Sequence, residues 1–196
     1  VIEFYQRATE AGIKPILGVE AYVARRTLHD RDPKLDSKPY HLTLLARNLT
    51  GYQNLIKLVS TAHLEGLYYK PRIDKELLKV HGEGLTILTG CLNSELALSI
   101  RDNDLGAAKE LIKLYIDAVG KEYVYLEIQH HPTLEEQTLV NSAIAELSQE
   151  FGLPMVATGD SHYLDHDDQA AHELLLAVST GKDVDDRERM TMKDID

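Results

Sequence analysis

The sequence predicts an α/β fold, a parallel sheet covered by helices and either open or closed into a barrel. Three observations carry that reading. Short β-rich runs alternate with amphipathic stretches along the whole chain, the helical stretches close on glycine as stop signals should, and no repeat or low-complexity segment interrupts them. At 196 residues the chain has the size of one ordinary domain and can bury a real core.

The elements follow in order. A helix is expected near residues 2 to 11, I-E-F-Y-Q-R-A-T-E-A, with no cap ahead of it, and then a strand P-I-L-G-V-E-A-Y-V at 15 to 23. A second strand, H-L-T-L-L-A at 41 to 46, precedes a helix at 50 to 64, and a third, L-T-I-L-T-G, spans 85 to 90. Helices at 94 to 101 and 104 to 118 lead to Y-V-Y-L-E-I at 123 to 128. The helix at 134 to 151 places Leu139, Ile144 and Leu147 at helical spacing. The last strand is P-M-V-A-T at 154 to 158, followed by a helix at 165 to 179 and a charged, non-periodic end. Both ends read as cut from something larger.

Composition narrows the function. No apolar run is long enough for a membrane span, and the start lacks the form of a signal peptide. The single cysteine, Cys91, excludes an internal disulfide and fits a reducing, cytoplasmic setting. A formal charge of -11 argues against general DNA binding through a basic surface. Action on a phosphate ester is still open, because bound metals reverse the local sign.

In parallel α/β proteins functional groups gather at the carboxyl ends of strands. Here those ends supply Glu20 after L-G-V, Cys91 in T-G-C, His130 and His131 in E-I-Q-H-H, and Asp160 with His162 in A-T-G-D-S-H. In extended chain, residues two apart share a face, so Asp160 and His162 aim at one space. Each has a plain alternative: a solvated edge acid, a small core thiol, a loop histidine pair, a helix cap. Together they are the donor types of a metal site, and mixed N, O and S donors favour Zn²⁺ or Mn²⁺ over Ca²⁺. His41 fits less well, since it stands where its strand begins. It reaches such a site only if the strand starts near the rim or runs opposite to its neighbours. The segment G-L-Y-Y-K-P-R-I-D, residues 66 to 74, sets Lys70 and Arg72 beside two tyrosines. It reads either as a phosphate- and base-binding loop or as a structural one.

With these residues in view the chain resembles the polymerase-and-histidinol-phosphatase (PHP) domain, in the branch at the amino end of bacterial replicative DNA polymerase III alpha subunits. The likeness lies in A-G-I-K-P-I-L-G-V-E, H-L-T-L-L-A-R-N-L-T-G-Y-Q-N-L, Y-Y-K-P-R-I-D, L-T-G-C and A-T-G-D-S-H-Y. It implies a distorted seven-stranded (β/α) PHP-type barrel with up to three metals in its mouth. The family's H-x-H and D-H-G segments have no counterpart in the sequence, so the barrel is expected to be incomplete. The ligand set implied here is Glu20, His41, Cys91, Asp160 and His162. Asp160 and His162 would be catalytic, and Lys70, Arg72 and His131 would bind phosphate. Residues 1 to 180 would be a partial PHP domain and 181 to 196 the start of a connection to a polymerase region, which would use Mg²⁺.

The implied activity is metal-dependent 3′-5′ exonuclease proofreading within a DNA polymerase. The partners would be primer-template DNA, a clamp, a clamp loader and a proofreading subunit, with no membrane. Two alternatives stand beside it: a catalytically silent interaction module of the polymerase, and a free-standing phosphatase such as histidinol phosphatase.

Overall fold

The computed structural model describes residues 1–131 and 133–192. Seven strands form one sheet: β1 (Gly18–Val23), β2 (Tyr40–Ala46), β3 (Leu67–Tyr68), β4 (Lys70–Ile73), β5 (Leu85–Leu88), β6 (Val124–Gln129) and β7 (Met155–Thr158). Their spatial order is β3-β4-β1-β2-β5-β6-β7, so the sheet is open, with β3 and β7 at its edges. The helices are α1 (Ile2–Glu10), α2 (Leu49–Leu64), α3 (Lys75–His81), α4 (Glu95–Arg101), α5 (Leu105–Val119), α6 (Glu135–Phe151) and α7 (Gln169–Thr180).

The sheet is mixed, which corrects the expectation of a parallel one. β2 runs antiparallel to both β1 and β5, while β1 with β4, β5 with β6 and β6 with β7 are parallel. Residues 66–74, expected to be a loop, contribute β3 and β4, and α3, which the sequence reading did not place, follows them. In α6 the buried stripe is Val140, Ile144 and Leu147, whereas Leu139 is exposed. Spacings of four and then three keep a stripe on one helical face, and a step of five from Leu139 to Ile144 does not.

Strand alternation splits the sheet into two faces. Val23, Leu42, Leu44, Ile73, Leu85, Ile87, Val124 and Leu126 are buried and pack in a single core with residues of α2, α3, α4, α5 and α6. The register puts Glu20, Tyr22, His41, Thr43, Leu88, Tyr125, Glu127 and Gln129 on the opposite face. That face is the polar one.

Helix starts are fixed by side-chain caps. Asn48, Asp74, Ser94 and Asp104 accept from the N–H groups of Gly51, Leu77, Ala97 and Ala107. Gly51 lies so close to the chain entering β5 that a Cβ there would stand 1.9 Å from the Gly84 carbonyl oxygen. Only glycine lets α2 start against the sheet in that way.

The loop joining β1 to β2 is held from beneath by β4. The fully buried Arg72 guanidinium donates to the carbonyls of Gly66, Asp36, Leu28 and Asp30. Asp74 accepts from the Leu28 N–H, and the buried Asp36 carboxylate receives the fork of Arg26. At the other end, residues 182–192 fold back on α7, where Glu173 accepts from Arg189, Thr191 and the Met192 N–H. The last four residues of the expected connection lie outside the described residues.

Candidate metal centre

Three of the expected ligands converge. β1 carries Glu20, and β2 begins with Tyr40 and His41, whose neighbour across the ladder is Tyr22. Because β2 runs antiparallel, its start lies at the same sheet margin as the ends of β1 and β5. That resolves the placement of His41, which stands at the wrong end only in a parallel sheet. Cys91 follows β5, on a turn made possible by Gly90 with φ 88°. A Cβ on Gly90 would press at 3.0 Å on both the His41 carbonyl oxygen and the Ser94 side chain. Glycine in T-G-C therefore allows both the left-handed turn and the close approach to β2.

His41 Nδ1 is 2.6 Å from Glu20 Oε1 and 3.5 Å from Cys91 Sγ. One donor atom from each of the three residues lies within 4.8 Å of the others. A tetrahedral ion with bonds of about 2.0–2.3 Å sets its ligands roughly 3.3–3.8 Å apart, so this N, O, S set fits one cation with small side-chain adjustment. Among the described residues this is the one group of three or more such side chains gathered so closely.

The electrostatics match a place for positive charge. The hydrogen bonds with Cys91 and then with Glu20 raise the His41 pKa to about 10, against the opposing pull of partial burial. The same bond from His41 lowers that of Glu20, burial works the other way, and the charge of His162 adds to the lowering.

Asp160 and His162 are not among those three. They follow β7, Asp160 with a positive φ of 49° and His162 exposed. His162 is close enough to act on Glu20 electrostatically, and its ring lies 5.8 Å from that of His172. Lys70 is exposed, with its ammonium 5.4 Å from the Tyr22 ring, which in turn meets the His41 ring edge-on at 5.3 Å. It therefore reaches the rim of the centre. Arg72 does not: its guanidinium is buried and engaged with four carbonyls, so it carries no phosphate-binding role forward. His131 is buried beyond the end of β6, and His130 is exposed.

Two residues of this face escaped the sequence reading. Tyr22 packs on His41, and Glu127, buried in β6, accepts from Gly90 N–H and Thr158 Oγ1. The second had a visible signal, an acid inside the apolar run Y-V-Y-L-E-I. The larger groove between α1 and α2 is lined by apolar residues such as Phe4, Ile16, Leu17 and Ile56 and offers no donors for this chemistry. No helix among the described residues is long and apolar enough to cross a membrane.

An open α/β sheet whose polar margin gathers an acid, an imidazole and a thiol defines a domain with a candidate metal site, and its family is shown by sequence. The PHP domain profile matches residues 1–131, and the chain belongs to that family. The DNA polymerase III subunit alpha of Thermus aquaticus is 46% identical over 190 residues, covering 96% of this chain and 15% of that protein. The DNA polymerase III subunit alpha of Deinococcus radiodurans is 42% identical over 192 residues (96% and 14%), and that of Borreliella burgdorferi 39% over 193 (98% and 17%). The chain thus spans 14 to 17% of the length of these relatives. The profile match contains Glu20, His41 and Cys91 and stops short of Asp160 and His162.

Proposed function

We propose that the chain is the PHP portion of a bacterial replicative DNA polymerase alpha subunit and that its metal centre hydrolyses phosphodiesters as a 3′-5′ exonuclease. The observation that carries this reading is the convergence of Glu20, His41 and Cys91 at one sheet margin. A bound Zn²⁺ or Mn²⁺ would supply a hydroxide at neutral pH and neutralise charge on the scissile phosphate. Glu20, His41 and Cys91 would hold the cation from one side, and Asp160 with His162 from the other. Lys70, at the rim beside Tyr22, would draw the primer-end phosphate towards them.

Template-directed DNA synthesis would reside in another region of the same polypeptide, with Mg²⁺. DNA and the other replicative subunits (clamp, clamp loader, separate proofreading subunit) would be its partners in the cytoplasm. An overall acidic surface fits a domain that meets DNA only at a single cationic site.

The test uses the polypeptide as its gene encodes it. A 3′-labelled primer should be shortened in the presence of Zn²⁺ or Mn²⁺. Cys91→Ser should abolish the shortening and leave DNA synthesis intact. Synthesis with no metal-dependent shortening in the unmodified protein would instead favour a structural module.

A further inference from the structure

Glu127 has no place in the ligand set, yet it touches both turns that carry ligands. It lies in β6 between β5 and β7, is 6% exposed, and sits on the polar face of the sheet. Oε2 accepts from the Gly90 N–H at 2.8 Å, one residue before Cys91. Oε1 accepts from Thr158 Oγ1 at 2.6 Å, two residues before Asp160. Its own N–H donates to Thr89 Oγ1 at 2.9 Å, so the T-G-C turn is gripped at two successive residues. Gln129, two residues along β6, extends the same row by donating to Thr158 Oγ1 at 3.4 Å.

A buried carboxylate in a strand is retained only with good partners. Both partners here are the last fixed points before a ligand-bearing turn. The Gly90 N–H has no ladder partner beyond the end of β5, and β7 is an edge strand held on one side only. A single carboxyl group therefore links the turn after β5 to the end of β7. Groups that orient ligands without binding the metal commonly govern its affinity.

We infer that Glu127 is a positioning residue that fixes the Cys91 turn and the Asp160–His162 turn at one spacing, so that both address the same cation. The inference rests on the metal-centre reading above. What matters under it is the span of the side chain, not its charge. Glutamine has the same reach: its carbonyl oxygen can accept from Gly90 N–H while its amide donates to Thr158 Oγ1, whose hydroxyl also accepts. Aspartate keeps the charge but is one methylene shorter and cannot meet both donors.

The experiment follows Zn²⁺ protection of Cys91 from alkylation, read on the Cys91 peptide by mass spectrometry in the otherwise intact protein, with a thermal melt alongside. Glu127→Asp should raise the Zn²⁺ concentration for half-protection about tenfold, and Glu127→Gln should stay within about threefold of the parent. Thr158→Val, which cuts only the β7 link, should fall between them, at about threefold to tenfold. A larger loss in Glu127→Gln than in Glu127→Asp would overturn the inference, since charge would then be the working property. So would an unchanged midpoint in a folded Glu127→Asp. Absence of any Zn²⁺ protection in the parent would overturn the metal-centre reading itself, a result distinct from either of these.

Discussion

Two halves of the candidate centre are built differently. Glu20, His41 and Cys91 lie on or directly after β1, β2 and β5, each of which has a neighbouring strand on both sides. Asp160 and His162 follow β7, which is paired on one side only. The first half is compact, its side chains joined by the hydrogen bonds at 2.6 and 3.5 Å. The second half leans towards it through the charge of His162 and through Thr158, but stays outside bonding distance. Strands paired on both sides are held by two neighbours, whereas an edge strand and the turn after it are held from one side only. Position in the sheet, more than residue type, decides which candidate ligands are pre-arranged.

The largest expected effect comes from removing what supports the central half. Arg72→Met would remove the guanidinium donor from the carbonyls of Leu28, Asp30 and Asp36, leave Gly66 only its backbone partner, and loosen the loop joining β1 to β2. A loss of about 3–5 kcal/mol is expected, since buried hydrogen bonds to a charged group are each costly to break. A thermal or denaturant melt checks it. A loss under about 1 kcal/mol would mean that the β1–β2 loop is held by something other than this guanidinium.

Next in size is the direct contrast between halves. His41→Ala removes the ring that meets both other donors, and Zn²⁺ affinity should fall about 100-fold or more. Asp160→Ala should cost less, about tenfold, because its turn is less tightly set before the ion arrives. Titration with a competing chelator measures both. Equal losses would break the comparison and show the edge half to be as pre-arranged as the central one.

The residues themselves explain why part of this was legible in the sequence. Alternating runs disclosed five strands and most helices, because burial on one face leaves a period that pattern reading detects. Direction is another matter. Nothing local in Y-H-L-T-L-L-A says that it runs antiparallel to its neighbours, so His41 seemed misplaced until the pairing with β1 and β5 was known. β4 was hidden for a different reason. Lys-Pro-Arg-Ile carries two charges and a residue without an N–H, and its strand character comes from pairing with Tyr22 and Val23. Arg72 illustrates the risk of reading chemistry from composition, since a guanidinium near two tyrosines suggests phosphate and here serves carbonyls. Glu127 shows the reverse case, a polar residue inside an apolar run whose role depends on two turns distant in sequence.

The sharpest test of the central half is its response to pH, read as a count of one or two protons. A cation and the His41 proton compete for the same place. His41 has its pKa raised from 6.5 to about 10 by Cys91 and Glu20, while that of Glu20 is lowered from 4.5, chiefly by His41. Without a cation, the His41 contribution to stability is complete below pH 6.5 and is lost as pH rises through about 10. The Glu20 contribution is the converse, present above about 4.5 and lost as pH falls. Metal reverses the first trend, because it must displace the proton. Zn²⁺ affinity should therefore increase between pH 6.5 and 8.5, by up to about tenfold per unit for each proton released. Calorimetric titration in two buffers of different ionisation enthalpy counts those protons. At least one is expected at pH 7.5 in the parent protein, and His41→Ala should release one fewer. Asp160→Ala should leave the count unchanged, because the displaced proton belongs to the central half. Zero release in the parent would mean that the cation does not enter between His41 and its two partners.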